Sequence, residues 1–139
     1  MLIFGGDGND EGVIYALDLT TMKWSCLNNV KYERYGHTAN LIGNSIYLFG
    51  GWDYGDYYND LHKYDVNSKT LNIVITSGKH PSERYNHGSA VIGENLYIFG
   101  GVGYGNTRKD NTLYSLNTIS SEWVAIPIAE SSGSLPQPR

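Results

Sequence analysis

The stretch "RYGHTANLIGNSIYLFGG", Arg34 to Gly51, returns fifty residues later as "RYNHGSAVIGENLYIFGG", Arg84 to Gly101, with no gap. Repetition at this period constrains the fold more than any other feature. Each unit must be one supersecondary element that buries its apolar faces on its neighbours. The closing part of the unit also opens the chain, as "MLIFGG". Farther along each unit, "VIYALDLTTMKW" (Val13 to Trp24), "DLHKYDVNSKTL" (Asp60 to Leu71) and "TLYSLNTISSEW" (Thr112 to Trp123) align, with Leu71 where the other two have tryptophan. Arg139, ending "PQPR", falls on the position of Arg34 and Arg84.

Every unit holds four short strand candidates, of the types "HTANLI", "SIYLF" and "LHKYDV", with the fourth around the tryptophan position. Runs this short, separated by Gly-Asn, Gly-Glu and Asp/Asn-Ser/Thr turns, do not make helices. "SIYLF" and "NLYIF" are apolar at successive positions, which suits a strand held between two packed sheets rather than a half-exposed one. The chain has 17 glycines, 4 prolines and 12 tyrosines, a composition of many turns between strands. The expected fold class is all-β, with small sheets of four antiparallel strands stacked face to face.

The pattern Arg-x-x-His, then Gly-Gly, then a tryptophan about two dozen residues on, resembles the kelch repeat. That resemblance covers essentially the whole chain and implies kelch-type β-propeller blades. It implies residues 1–29 as a partial blade (strands two to four), 34–77 and 84–128 as full blades, and 129–139 as a linker to a next blade. A propeller closes with about four to eight blades. The content therefore reads as an incomplete, open arc, with truncation from a longer propeller as the leading explanation. Self-association through exposed blade faces is the alternative. Structural roles in the repeat are expected for Arg34, His37, Gly50, Gly51, Arg84, His87, Gly100, Gly101, Trp24 and Trp123. The doublets end the second strand in a turn of positive φ or close approach. Asp18, Asp65 and Asn117 share a place after the third strand, where their side chains cap a turn.

The repeat register also measures the loops. From the motif arginine to the doublet the distance is 16 residues in both complete copies, and from Leu17, Tyr64 or Leu116 to the tryptophan position it is 7 in all three. From the doublet to that Leu/Tyr position it is 12, 14 and then 16, and from the tryptophan position to the next arginine it is 10, 13 and then 16. Antiparallel strands put both variable connections on one face of the blades. Binding tends to reside in variable loops on a rigid scaffold. This loop face supplies Trp52, Asp53, Tyr54, Asp56, Tyr57 and Tyr58 from "WDYGDYYN", read as a loop, and Tyr104, Asn106, Arg108 and Lys109 from its counterpart. Asp7, Asn9, Asp10 and Glu11 in the first unit, and Tyr32, Glu33, His80, Glu83 and Ser131 to Gln137 between units, complete the face. Tyrosine, tryptophan and arginine dominate binding energy at protein interfaces, and tyrosine offers a large area with only two χ angles to fix.

Chemistry is otherwise sparse. Net charge is −4 with no basic run, so no nucleic-acid or anionic-membrane footprint is present. Cys26 is the single cysteine, which excludes an intrachain disulfide and a zinc site of paired cysteines. No apolar run approaches a membrane span, and the N-terminus lacks signal-peptide character; a cytoplasmic protein is expected. "GGDGND" fits one copy of a calcium nonapeptide, but no tandem copy follows. "DYGDYYND" lacks the EF-hand pattern. Among kelch-like enzymes, copper oxidases use a cross-linked cysteine, whereas Cys26 lies in the fourth-strand segment "WSCL". The Glu-x-x-x-Asp-x-x-x-His of specifier proteins is absent. Asp53, Asp56 and Asp60 have no evident acid–base partner. The expected function is a protein-binding scaffold without metal, cofactor or catalysis. The alternatives are a sugar-like ligand stacked on Tyr54 or Tyr104 at the channel mouth, and an enzyme whose catalytic groups lie in other blades.

Overall fold

The computed structural model describes residues 1–6, 12–104, 107–108, 111–126 and 128. Asp7, Asn9, Asp10, Glu11, Asn106, Lys109 and Ser131 to Gln137 lie outside the described residues, as does Arg139. Two compact units divide the chain, Met1–Tyr35 and Gly36–Arg139.

The first unit is a three-stranded antiparallel sheet of β1 (Leu2–Ile3), β2 (Val13–Asp18) and β3 (Lys23–Lys31), in that order. Pairing of Leu17 with Trp24 and of Tyr15 with Cys26 and Ile3 sets the register. Period-2 alternation then sends Phe4 and Ile14 to a buried face. The opposite face carries Met1, Ile3 and Trp24.

The second unit holds two larger sheets. One runs β4 (Thr38–Ile42), β5 (Ser45–Asp53), β6 (Asp56–Asp65), β7 (Thr70–Ile73), each antiparallel to the next. The other pairs β9 (Gly88–Ile92), β10 (Asn95–Phe99), β13 (Leu113–Asn117) and β14 (Glu122–Ile126) in the same way. A short β8 (Ser77–Gly78) lies parallel against the outer edge of β14. Ser77 N–H donates to the Ser121 carbonyl at 3.0 Å and Lys79 N–H to the Trp123 carbonyl at 3.0 Å. The connection between the two sheets is therefore partly structural, covering an edge that would otherwise present unpaired backbone groups. A separate two-stranded ribbon joins β11 (Val102–Gly103) to β12 (Thr107–Arg108).

Alternation explains the core between these sheets. Ile42, Tyr47, Phe49 and Leu61 project from one sheet, and Leu96, Ile98, Tyr114, Leu116 and Trp123 from the other, into one buried cluster. Trp123, 2% exposed, packs on Phe49 at 5.2 Å between ring centroids. Burying side chains of this size contributes roughly 1.5–3 kcal/mol each. Leu48 is also buried, so β5 is covered on both faces as its unbroken apolar run requires. β10 differs from that expectation. Leu96 and Ile98 are buried, but Tyr97 and Phe99 are half-buried and line an open cavity of about 230 Å³ with Gly88, Ser89, Ala90 and Leu113.

The turns repeat as faithfully as the strands. Asp18 Oδ1 accepts from the backbone N–H of Thr20 and Thr21, Asp65 Oδ1 from Asn67 and Ser68, and Asn117 Oδ1 from Ile119 and Ser120, all at 2.8–3.2 Å. These bonds hold the Asp18 and Asp65 carboxyls below the usual carboxylate range. Each turn ends in a non-glycine residue of positive φ, namely Met22, Lys69 and Ser121. The caps expected at all three positions are present.

Among the described residues no helix is long and apolar enough to cross a membrane.

Candidate functional site

The site is built where β5 passes its glycine doublet. Gly50 (φ 65°) and Gly51 (φ 108°) lie in the left-handed region, and the β5–β6 register shifts between Phe49 and Gly51. A Cβ on Gly50 would stand 2.7 Å from the Arg84 carbonyl oxygen and 2.9 Å from His87 Cε1. Glycine is needed for both conformation and space.

Beyond the doublet the sequence reads as a loop over "WDYGDYYN". The structure corrects this. β5 continues to Asp53 and β6 begins at Asp56, with Gly51 opposite Tyr58, Trp52 opposite Tyr57 and Asp53 opposite Asp56. Only Tyr54 and Gly55 form the turn, with φ of 41° and 110°. Two central residues of positive φ make a type I′-like hairpin, whose twist suits the flanking strands. The cross-strand Trp52–Tyr57 pair, 6.3 Å apart and edge-on, stabilises a ribbon over a loop.

Arg84 anchors the base of this ribbon. Its N–H donates to the Tyr58 carbonyl at 3.0 Å, and its carbonyl accepts from Gly51 N–H at 2.9 Å. Its buried guanidinium donates to the Gly100 carbonyl at 2.8 Å and the Ser82 carbonyl at 2.9 Å, and sits 5.2 Å over the Tyr114 ring. The first unit repeats the backbone bond, with Gly6 N–H donating to the Arg34 carbonyl at 3.1 Å. The Arg34 guanidinium lies 4.6 Å over the buried Tyr32 ring, so Tyr32 is a packing residue. His87 is buried beside Phe49 and is hydrogen-bonded through Nε2 to Thr38 Oγ1 at 3.0 Å. Burial foremost, then the Arg84 and His37 charges, depress its pKa to about 3.

The next residue, Tyr85, carries the ribbon across to the second sheet. Its backbone exchanges two 2.9 Å hydrogen bonds with Val102, at the start of β11. Its ring lies 5.7 Å from Tyr57 and 6.5 Å from Trp52, and Tyr57 lies 5.8 Å from Tyr104. Four rings from three chain segments thus form one cluster. Tyr104 is 79% exposed and Tyr54, at the ribbon tip, is 86% exposed. Asp53 and Asp56 flank the tip. Asp60 instead faces His62 at 3.5 Å.

The structure brings Trp52, Tyr57 and Tyr104 together, sets Tyr54, Asp53 and Asp56 at the adjoining tip and places Tyr58 at the ribbon base. Arg108 is placed by its backbone alone, opposite Val102. Sequence reasoning missed Tyr85, although "RY" opens both copies of the motif. Trp24 does not share the packing of Trp123. It is 53% exposed, on the sheet face with Met1 and Ile3. Among the described residues no group of three His, Cys, Asp or Glu is placed to hold a metal ion.

Four-stranded antiparallel sheets packed on one another, each with a glycine doublet after the apolar run of its second strand, are blades of the β-propeller class. The KLHDC2/KLHL20/DRC7 Kelch-repeats domain model matches residues 1–139, and the chain belongs to that kelch-repeat family. It is similar to Kelch domain-containing protein 3 of Bos taurus and of Homo sapiens, each 35% identical over 86 residues, covering 56% of this chain and 22% of the relative. Host cell factor 2 of Homo sapiens is 45% identical over 56 residues, covering 37% of this chain and 7% of that protein. The matched part of the chain thus spans about a fifth of the length of the first relatives. Kelch-repeat domains generally act as protein–protein interaction scaffolds.

Proposed function

We propose that this chain is a protein-binding module without catalytic activity, and that the β5–β6 ribbon with Tyr85 and Tyr104 is the surface its partner contacts. The observation that carries this reading is the single cluster formed by Trp52, Tyr57, Tyr85 and Tyr104. Rings held against one another lose little further freedom on binding, which favours them as interface anchors. Backbone hydrogen bonds at Arg84 and Tyr85 supply the rigid base. The proposed setting is the cytoplasm, since a chain with one cysteine needs no oxidising compartment to fold. A sugar-sized ligand is the weaker reading, because rings as open as Tyr54 and Tyr104 would bury little of it.

The test is affinity capture with the wild-type chain and with a Trp52→Ala/Tyr57→Ala/Tyr58→Ala variant, each checked by circular dichroism. A partner retained by the wild type and lost by a folded variant is the expected result. A partner held equally by both rejects the surface.

A further inference from the structure

We infer that two copies of this chain associate head to tail, the open face of the first unit's sheet in one copy docking on the open face of the β9–β10–β13–β14 sheet in the other. The repeat writes one apolar cluster twice, once inside the chain and once split between those two faces. Inside, Tyr47, Phe49 and Leu61 of one sheet meet Ile98, Leu116 and Trp123 of the next. The first three recur as Tyr97, Phe99 and Leu113, with Phe99 opposite Leu113 in the ladder as Phe49 is opposite Leu61. Those three line the open cavity. On the same face by alternation, Ile92, the counterpart of buried Ile42, is 68% exposed. The second three recur as Ile3, Leu17 and Trp24, with Leu17 opposite Trp24 as Leu116 is opposite Trp123. Ile3 and Trp24 are exposed, and so is Met1, the counterpart of buried Leu96.

Polar contacts select the occupant. Between the two large sheets, Thr38 Oγ1 is hydrogen-bonded to His87 Nε2 and Ser89 Oγ donates to Asn40 Oδ1, both at 3.0 Å. In the last sheet Gly88 and Ala90 take the places of Thr38 and Asn40. Neither offers a polar side chain to a histidine or serine aimed at it, and a buried polar group left without a partner is costly. A four-stranded kelch-type blade would bring such groups with its first strand. The first unit's sheet instead matches β10, β13 and β14 with β1, β2 and β3, and has no counterpart of β9 among the described residues. It presents the apolar half of the contact without the polar half. The two faces differ, so the contact is heterologous and either closes or propagates. Each copy carries three blade sheets besides the β11–β12 ribbon, so two copies bring six. That number lies within the roughly four to eight blades of a closed propeller, so closure at two copies is expected.

Sedimentation equilibrium of the 139-residue chain tests this, together with Ile92→Lys and Trp24→Lys, each at an exposed side chain and each checked by circular dichroism. The wild type is expected to approach twice its 15.5 kDa as concentration rises. Each variant loses one of the two faces and should stay monomeric alone. Mixed at higher concentration, the two should form a species of two chains, because each keeps the face the other lacks. Contact between like faces would instead leave one variant dimeric on its own. Tyr54→Lys, at the exposed ribbon tip, should leave association unchanged. If a lysine variant unfolds, Ile92→Gln and Ile3→Gln repeat the comparison. A wild type monomeric at every concentration overturns the inference, as does a mass that climbs past two chains. So does a folded variant that dimerises alone, a mixture that stays monomeric, or an equal loss on Tyr54→Lys. A monomeric wild type that captures another protein, lost on Ile92→Lys, gives the face to that protein and likewise overturns the self-pairing.

Discussion

One strand, β5, does two different jobs on either side of Gly50. From Ser45 to Phe49 it is buried on both faces, and Phe49 packs against both Trp123 and His87. From Gly51 to Asp53 it projects as one arm of a ribbon that ends in the exposed Tyr54. The first half repeats as "NLYIF", with the tyrosine and phenylalanine kept and isoleucine and leucine exchanged; the second half has no such echo in "VGY". The bulge at the doublet is the boundary. Before it, each side chain answers to a neighbouring sheet. After it, side chains answer chiefly to one another and to whatever docks there.

Substitutions on the two sides should separate stability from binding. Phe49→Ala removes the ring at the centre of the inter-sheet cluster and should cost about 3–5 kcal/mol in denaturant titration. Binding should change only through loss of folded protein. Gly50→Ala, forced to hold φ near 65° against the Arg84 carbonyl, should cost about 2 kcal/mol. It should also loosen the ribbon, seen as faster hydrogen exchange at Gly51 and Tyr58 than at Leu48.

Acid should act on the buried half through His87. The folded-state pKa of His87, about 3, lies below its unfolded value near 6.5. The neutral ring's contribution is complete above pH 6.5. It declines as pH falls toward 3, because the unfolded chain takes up the proton first, by at most about 1.4 kcal/mol per pH unit. His87→Gln should flatten the stability–pH curve in that window while lowering stability at neutral pH. An unchanged slope would mean His87 is not the group responsible. The smallest effect belongs to the ribbon surface. Tyr104→Ala should shift stability by no more than about 0.5 kcal/mol yet weaken partner binding measurably.

Much of the first half of this division was legible in the sequence, because a repeat prints the same constraint more than once. The apolar run of β5, the caps at Asp18, Asp65 and Asn117 and the positive φ of the doublets all follow from residue type at a fixed register. The ribbon was less legible. "YG" is not the Asn-Gly or Asp-Gly signal of a two-residue hairpin, and tyrosine rarely adopts the φ of 41° that Tyr54 holds. Its acids and glycine read as a loop, whereas the Trp52–Tyr57 pairing that decides the matter is a tertiary fact. Trp24 and Trp123 teach the same lesson. Identical residues at one repeat position differ in burial because the faces they share are covered differently. Tyr85 went unread beside the arginine and histidine of its own motif.

The most direct test of the division at Gly50 is hydrogen exchange of the chain with and without a captured partner. Protection on binding is expected at Gly51 to Tyr58, Tyr85 and Tyr104, with β5 before Phe49 and the outer strands β7 and β14 unchanged. Protection centred on β7 or β14, with the ribbon amides unaffected, would contradict the assignment of binding to the ribbon.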